Sequence, residues 1–124
     1  MTGHPGVRYP LRPMARPEVR DHDIPALPTD RLKRVALQIL VDVARGDRRG
    51  APLDDLAPTG DLRDCYKVYF DERGDRKPRY RLAYRLLPSG GVEAVSVEAV
   101  AIGERGGLAA YIAAARRLGR LAAD

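Results

Sequence analysis

The segment 65-CYKVYFDERGDRKPRYRLAYRL-86 decides the fold, because it contains two strands that share one apolar face and one cationic face. Successive side chains of an extended strand point to opposite sides. The apolar face holds Tyr66, Val68, Phe70, Tyr80, Leu82, Tyr84 and Leu86. The opposite face holds Lys67, Tyr69, Arg79, Arg81 and Arg85. The first face predicts half of a core, and the second predicts a rigid site for phosphates and stacked bases.

An amphipathic helix precedes this hairpin. Apolar residues recur at spacings of three and four between Leu32 and Ala44, while charged residues occupy the other side, which is typical of a helix with one buried face. Thr29 or Asp30 can cap its first turn, and Gly46 supplies a left-handed stop. The Gly-, Pro- and Asp-containing residues that follow, 47–64, are interpreted as a connecting loop.

The remaining segments complete the expected fold. The charged loop 71–78 should project into solvent, residues 89–91 make the next turn, and residues 92–102 form a third strand. Gly106 and Gly107 lead into a last helix that has an apolar stripe and arginines near its C-terminus. A helix, a three-stranded antiparallel meander and a second helix together predict an α+β fold.

Length and composition limit the number of domains and the location. The 124 residues have room for one domain, which we assign to residues 29–124. Six of the ten prolines fall within residues 1–28, which are expected to be a proline-rich tail or an edge strand. Residues 7–15 are the candidate strand, and a helical turn is expected close after it. The single Cys65 and the lack of a long apolar run predict a cytoplasmic protein without a membrane partner.

The residues that commonly bind metals are too few to predict a metal site. The histidines, His4 and His22, both lie in the proline-rich segment, where surface positions are expected. Cys65 has no ligand-type neighbour at metal spacing and is expected to pack within its strand. No glycine-rich phosphate loop is present either, so the sequence predicts neither a metal nor a cofactor.

Cationic and aromatic residues are the remaining candidates for chemistry. Lysine and arginine number 22 against 17 acidic residues, a net charge of +5, which favours a polyanionic partner without requiring one. The meander should bring several cationic and aromatic side chains together from three segments. The alternative is that these residues simply form a solvated face of the sheet. These candidates are Lys67, Arg79, Arg81, Arg85, Arg105, Tyr69 and Tyr111.

Four short motifs occur in the order found in the RelE/ParE toxin superfamily. They are Asp64-Cys65-Tyr66-Lys67, Tyr80-Arg81-Leu82-Ala83-Tyr84, Val100-Ala101-Ile102-Gly103-Glu104-Arg105, and Tyr111 followed by AARRL at residues 114–118. Over roughly residues 30–120 the chain resembles this superfamily, and within it the RelE branch most. The resemblance implies an antiparallel sheet with flanking helices and the toxin component of a bacterial toxin–antitoxin pair.

The resemblance also implies a reaction. RelE-like toxins cleave mRNA in the ribosomal A site without a metal: the ribose 2′-hydroxyl attacks the adjacent phosphorus, leaving a 2′,3′-cyclic phosphate and a 5′-hydroxyl. Lys67 or Tyr111 would then be the base. Arg81 would stabilise the phosphorane, and Arg105 would act on the leaving oxygen. The residues expected to bind RNA around them are Tyr69, Arg79 and Arg85.

Two other functions stay open at this point. A ParE-like toxin would inhibit DNA gyrase, and Lys67 and Arg105 would then matter little. A catalytically silent family member would bind only its antitoxin or RNA. Tyr69 favours this last alternative, because RelE-like toxins often have a second lysine at its position. The expected partners are a cognate antitoxin, in a hetero-oligomer, and the ribosome with its mRNA.

Overall fold

A five-stranded sheet forms the centre of the protein in a computed structural model that describes residues 3–88 and 93–121. Its strands are β1 (Arg12–Ala15), β2 (Ala51–Pro52), β5 (Cys65–Phe70), β6 (Tyr80–Leu87) and β7 (Ser96–Glu104). They lie in the order β1-β7-β6-β5-β2. A separate two-stranded ribbon consists of β3 (Asp55–Leu56) and β4 (Gly60–Asp61). The architecture is α+β, as predicted.

Three α-helices accompany the sheet in the described part of the chain: α1 (Ile24–Ala26), α2 (Asp30–Arg45) and α3 (Ala109–Arg117), with a π-helical turn at Val19–Asp23 before α1. Helix α2 has the predicted caps. The Thr29 hydroxyl accepts a hydrogen bond from the Leu32 backbone N–H at 3.1 Å, and Gly46 ends the helix with φ of 83°. None of the described helices is both long enough and apolar enough to span a membrane.

The predicted two-faced hairpin is confirmed. β5 and β6 pair antiparallel, so that Val68 lies opposite Leu82 and Tyr66 opposite Tyr84. Their apolar face packs against the buried side of α2, because the hairpin and the helix each have one hydrophobic surface. This main core includes Leu32, Ile39, Val43, Val68, Phe70, Leu82, Tyr84 and Val97.

The predicted antiparallel meander is confirmed for β5, β6 and β7. The prediction of an antiparallel sheet is wrong at its edge, because β1 pairs parallel with β7, Arg12 lying opposite Ser96. No hairpin turn connects these two strands, so nothing forces them to be antiparallel. β7 also begins later than predicted and continues through Gly103 to Glu104. The predicted turn at 89–91, like Val92, lies outside the described residues.

The segment 47–64 is more than the predicted loop, because it adds β2 to the sheet edge, with Ala51 opposite Lys67. Gly50 makes this approach possible. A Cβ atom at that position would lie 2.6 Å from the Lys67 carbonyl oxygen, so any other residue would push the segment away from β5.

The N-terminal segment packs against the main core, to which Leu11 and Val19 contribute buried side chains. His4 is buried too, with 5% of its surface exposed, and the prediction of a surface position for it is wrong. The buried Tyr84 hydroxyl accounts for this: it lies 2.6 Å from His4 Nε2 and accepts the Gly50 N–H at 2.7 Å. Most buried phenol hydroxyls have such partners.

Candidate functional site

The second face of the hairpin lies partly beneath α3. Arg81 pairs with Tyr69 on β5 and with Gly103 on β7, so these positions form one row across the sheet. A Cβ atom at Gly103 would lie 3.2 Å from the Ala110 Cβ. The missing side chain therefore lets α3 approach the sheet closely, and Tyr111 comes to lie over Arg81.

Five residues meet at this row, and we call them the tyrosine–cation cluster: Lys67, Tyr69, Arg81, Arg105 and Tyr111. Tyr69 is central. The guanidinium carbons of Arg105 and Arg81 lie 4.4 and 5.7 Å from its ring centroid, and the Lys67 Nζ lies 5.3 Å away. Cations at such distances are attracted to an aromatic ring. The cluster contains all four residues that the sequence suggested as catalytic, together with Tyr69.

Arg81 and Tyr111 form the buried side of the cluster. The Arg81 guanidinium lies 4.3 Å from the Tyr111 ring centroid, and only 5% of the Arg81 surface is exposed. Among the described residues, the Arg81 Nε and the Tyr111 hydroxyl are buried without a hydrogen-bond partner, although the hydroxyl faces Tyr69 and Arg81. Buried polar atoms usually find a partner in protein, ordered water or a bound ligand.

The two tyrosines differ in acidity. Interaction with the Lys67 ammonium lowers the pKa of the Tyr69 phenol below its usual value, because a nearby positive charge favours phenolate. Burial raises the pKa of Tyr111 to about 12, against the opposing charge of Arg81. Tyr69 is therefore the phenol in this cluster that loses its proton more readily.

The three cations of the cluster have no carboxylate within ion-pair distance anywhere in the described residues. The two other arginines that the sequence suggested differ in this respect. Arg79 forms a double contact with Asp71, Nε to Oδ2 at 2.8 Å and Nη2 to Oδ1 at 2.9 Å. Arg85 Nε lies 3.0 Å from Glu98 Oε1. Arg85 is also four residues along β6 from Arg81, about 13 Å away, so the structure separates it from the cluster.

A cavity of about 610 Å³ opens beside the cluster, and we call it the loop cleft. Residues 77–80 and 104–106 line it. The Arg105 N–H donates to the Arg79 carbonyl oxygen at 2.7 Å and joins its two walls. The sequence reasoning missed this cleft. A signal was present in Asp71 and Arg79, opposite charges at the two ends of the hairpin loop.

Nowhere in residues 3–88 and 93–121 do three His, Cys, Asp or Glu side chains come close enough together to hold a metal ion. No family model matches this sequence, and neither a curated protein nor a solved structure matches it. The resemblance to RelE/ParE toxins therefore stays a prediction. The geometry of the tyrosine–cation cluster is the basis on which a function can be assigned.

Proposed function

We propose that the protein binds single-stranded RNA at the tyrosine–cation cluster and cleaves it by attack of the ribose 2′-hydroxyl. One observation carries this proposal: Lys67, Arg81 and Arg105 converge on a single aromatic ring without a carboxylate partner among the described residues. Phosphate oxygens would pair with these cations, and bases would stack on the exposed aromatic and guanidinium surfaces. Unpaired RNA is commonly recognised by this combination.

Arg81 is well placed to stabilise a pentavalent phosphorane. Its guanidinium is held under Tyr111, and no carboxylate among the described residues neutralises its charge before a phosphate binds. A planar guanidinium presents several donors in a fixed geometry that matches phosphate oxygens. A donor that is already oriented costs little reorganisation as charge develops.

The attacking 2′-hydroxyl must lose a proton, and we assign its acceptor to Tyr69. The lowered pKa of Tyr69 makes phenolate more available, and Lys67 lies beside it. Tyr111 is a poor base, because its pKa of about 12 keeps it protonated. Arg105, followed by Gly106 and Gly107, would stabilise the charge on the leaving 5′-oxygen.

The order of the four sequence motifs supports a narrower version of this proposal. In it the protein is a cytoplasmic toxin that cleaves mRNA on the ribosome, and a cognate antitoxin holds it inactive in a hetero-oligomer. An acidic antitoxin segment would cover the cluster, because unpaired cations at a surface attract a segment of opposite charge.

A second candidate is an RNA-binding protein without catalytic activity. Two observations favour it: Arg81 is almost wholly enclosed, and Tyr69 occupies the position at which RelE-like toxins often carry a second lysine. In this case the cluster would bind phosphates and stack bases but perform no proton transfer.

Induced expression without an antitoxin tests the proposal. We expect growth arrest and mRNAs cut within translated reading frames, with 5′-hydroxyl ends. Arg105→Ala should abolish the cuts, while Arg34→Ala, which removes the same charge from the exposed side of α2, should preserve them. Intact mRNA with accumulated gyrase-linked DNA breaks would support the ParE-like alternative. Intact mRNA that still co-purifies with the protein would support the non-catalytic one.

A further inference from the structure

The loop cleft lies one residue beyond the cluster along the strands. Tyr80 and Glu104, which line the cleft, pair with each other next to the Arg81 and Gly103 pair. Arg105 belongs to both places: it lines the cleft, where its Nη1 donates to the Pro78 carbonyl oxygen at 3.5 Å, and its guanidinium lies over Tyr69. The side chains of Tyr80 and Glu104 alternate with that of Arg81, so the cleft adjoins the cluster at the end of the sheet, through Arg105. A phosphate in the cluster and a neighbouring nucleotide in the cleft would both contact this residue.

Arg79 forms a fixed, planar wall of the cleft. Asp71 holds its guanidinium through two hydrogen bonds, and the same group lies 5.5 Å from the Tyr80 ring centroid. About half of the Arg79 side chain is nevertheless exposed. A guanidinium held in one plane with an open face is a surface on which a nucleobase stacks.

Glu104 is the feature that a simple phosphate site would not contain. Its carboxylate is exposed and, among the described residues, has no ion-pair or hydrogen-bond partner, although Lys77, Arg79 and Arg105 line the same cleft. A carboxylate beside a phosphate would repel it. A ligand that both donates and accepts hydrogen bonds can bind the carboxylate with its donors and the neighbouring cations with its acceptors.

Guanine is the base whose edges match this lining. Its N1–H and 2-amino group are adjacent donors that a single carboxylate accepts together, while its O6 and N7 accept from arginine or lysine. Adenine, cytosine and uracil do not present two adjacent donors on one edge. The volume of about 610 Å³ lies in the range of small-ligand sites.

We propose that the loop cleft is a base-binding subsite that takes a guanine of single-stranded RNA, selected by Glu104 and stacked against Arg79. The inference rests on the proposed function for the position of the adjacent phosphate in the cluster. The proposed subsite would give the protein a sequence preference. The tyrosine–cation cluster alone would not, because it binds phosphates and stacks bases without reading their edges.

Binding of uncleavable RNA tests this subsite. Fluorescent 2′-O-methyl heptamers cannot undergo 2′-hydroxyl attack, so anisotropy measures affinity alone. We expect a heptamer of adenosines with one central guanosine to bind about 10-fold more tightly than heptamers with central adenosine, cytidine or uridine. Glu104→Gln should remove this preference, measured as the ratio of the affinities for the guanosine-containing and all-adenosine heptamers. Arg34→Ala should keep the preference.

The possible results separate the subsite from the proposed function. Equal binding of all four heptamers, lost in Arg81→Ala, would overturn the subsite and leave the proposed function standing. Absence of binding to every heptamer would overturn both. Amide chemical shifts locate the base: guanosine monophosphate should shift the amides of Lys77, Arg79, Tyr80 and residues 104–106 more than adenosine monophosphate does, and equal shifts would overturn the assignment to the cleft.

Discussion

The guanidinium of Arg81 lies 4.3 Å from the centre of the Tyr111 ring, and the Tyr111 hydroxyl beside it has no hydrogen-bond partner in the part of the chain that the structure describes. The ring therefore has a structural role that the hydroxyl lacks. We expect Tyr111→Ala to lower the free energy of unfolding by about 3 kcal/mol, because it opens a cavity over the sheet. Tyr111→Phe should keep or slightly raise it, since it removes an unsatisfied buried polar atom.

Thermal and denaturant unfolding of the two variants measure this difference, and RNA cleavage adds a second check. Because Tyr111 stays protonated, Tyr111→Phe should retain single-turnover cleavage to within about 10-fold, less than the loss of an acid or base group causes. A larger loss at unchanged stability would return Tyr111 to the catalytic role that the sequence suggested.

Tyr69→Phe, unlike Tyr111→Phe, should impair RNA cleavage. The ring and its cation contacts remain, so RNA affinity should change little, whereas removal of the proton acceptor should slow single-turnover cleavage by about 100-fold. Because the pKa of Tyr69 is lowered, the wild-type rate should increase with pH, and the midpoint of the increase should lie below that of an ordinary tyrosine, about 10. A rate independent of pH, with an active Tyr69→Phe, would assign the base to another group.

Loss of a cluster cation should make RNA binding less sensitive to salt. Lys67→Ala, Arg81→Ala and Arg105→Ala should each reduce the log–log slope by about 0.7, the value for one lost phosphate contact on a single strand. Arg85→Ala is the contrasting variant. Its slope should match that of the wild type, because Glu98 already pairs with the guanidinium. Equal slopes in all four variants would place the RNA elsewhere.

The burial of His4 leads us to expect that the protein becomes less stable in acid. Desolvation, aided by the charge of Arg49, lowers the pKa of this histidine, whose ring also contacts Tyr66 and Tyr84. Below the unfolded pKa of about 6.5 the unfolded chain binds more protons than the folded one. The free energy of unfolding should therefore fall as the pH decreases from about 7, by at most about 1.4 kcal/mol per pH unit from this group.

Chemical denaturation at a series of pH values measures this effect. His4→Asn should be less stable at neutral pH and should flatten the pH dependence between pH 5 and 7. His22→Asn is the matched control, because His22 is exposed, and it should behave like the wild type. An unchanged profile in His4→Asn would mean that another group controls acid sensitivity.

Local patterns were sufficient to predict α2 and the hairpin. The periodicity from Leu32 to Ala44 and the alternation from Cys65 to Phe70 each specify which side is buried, and short-range rules gave the caps. β1 and β2 were harder. Each is short and contains proline, and each is a strand only because a distant partner, β7 or β5, supplies its hydrogen bonds.

The candidate site was predictable to a similar extent. Strand alternation places Lys67, Tyr69 and Arg81 on one face, but it says nothing of what that face meets. The pairing of Arg85 with Glu98 depends on the register of β7, which shifts at Ala83 and Tyr84. The burial of His4 depends on Tyr84, eighty positions away. These long-range contacts leave no local trace in the sequence.

The pairing of β1 with β7 has a consequence for translation. β1 is made early, yet its partner Ser96 is made much later, so the sheet stays open until β7 has also left the ribosome. Arg105 and Tyr111 follow later still. A nascent chain therefore lacks the assembled cluster, and on the proposed function it carries no working ribonuclease site while these residues of its own message are still being read.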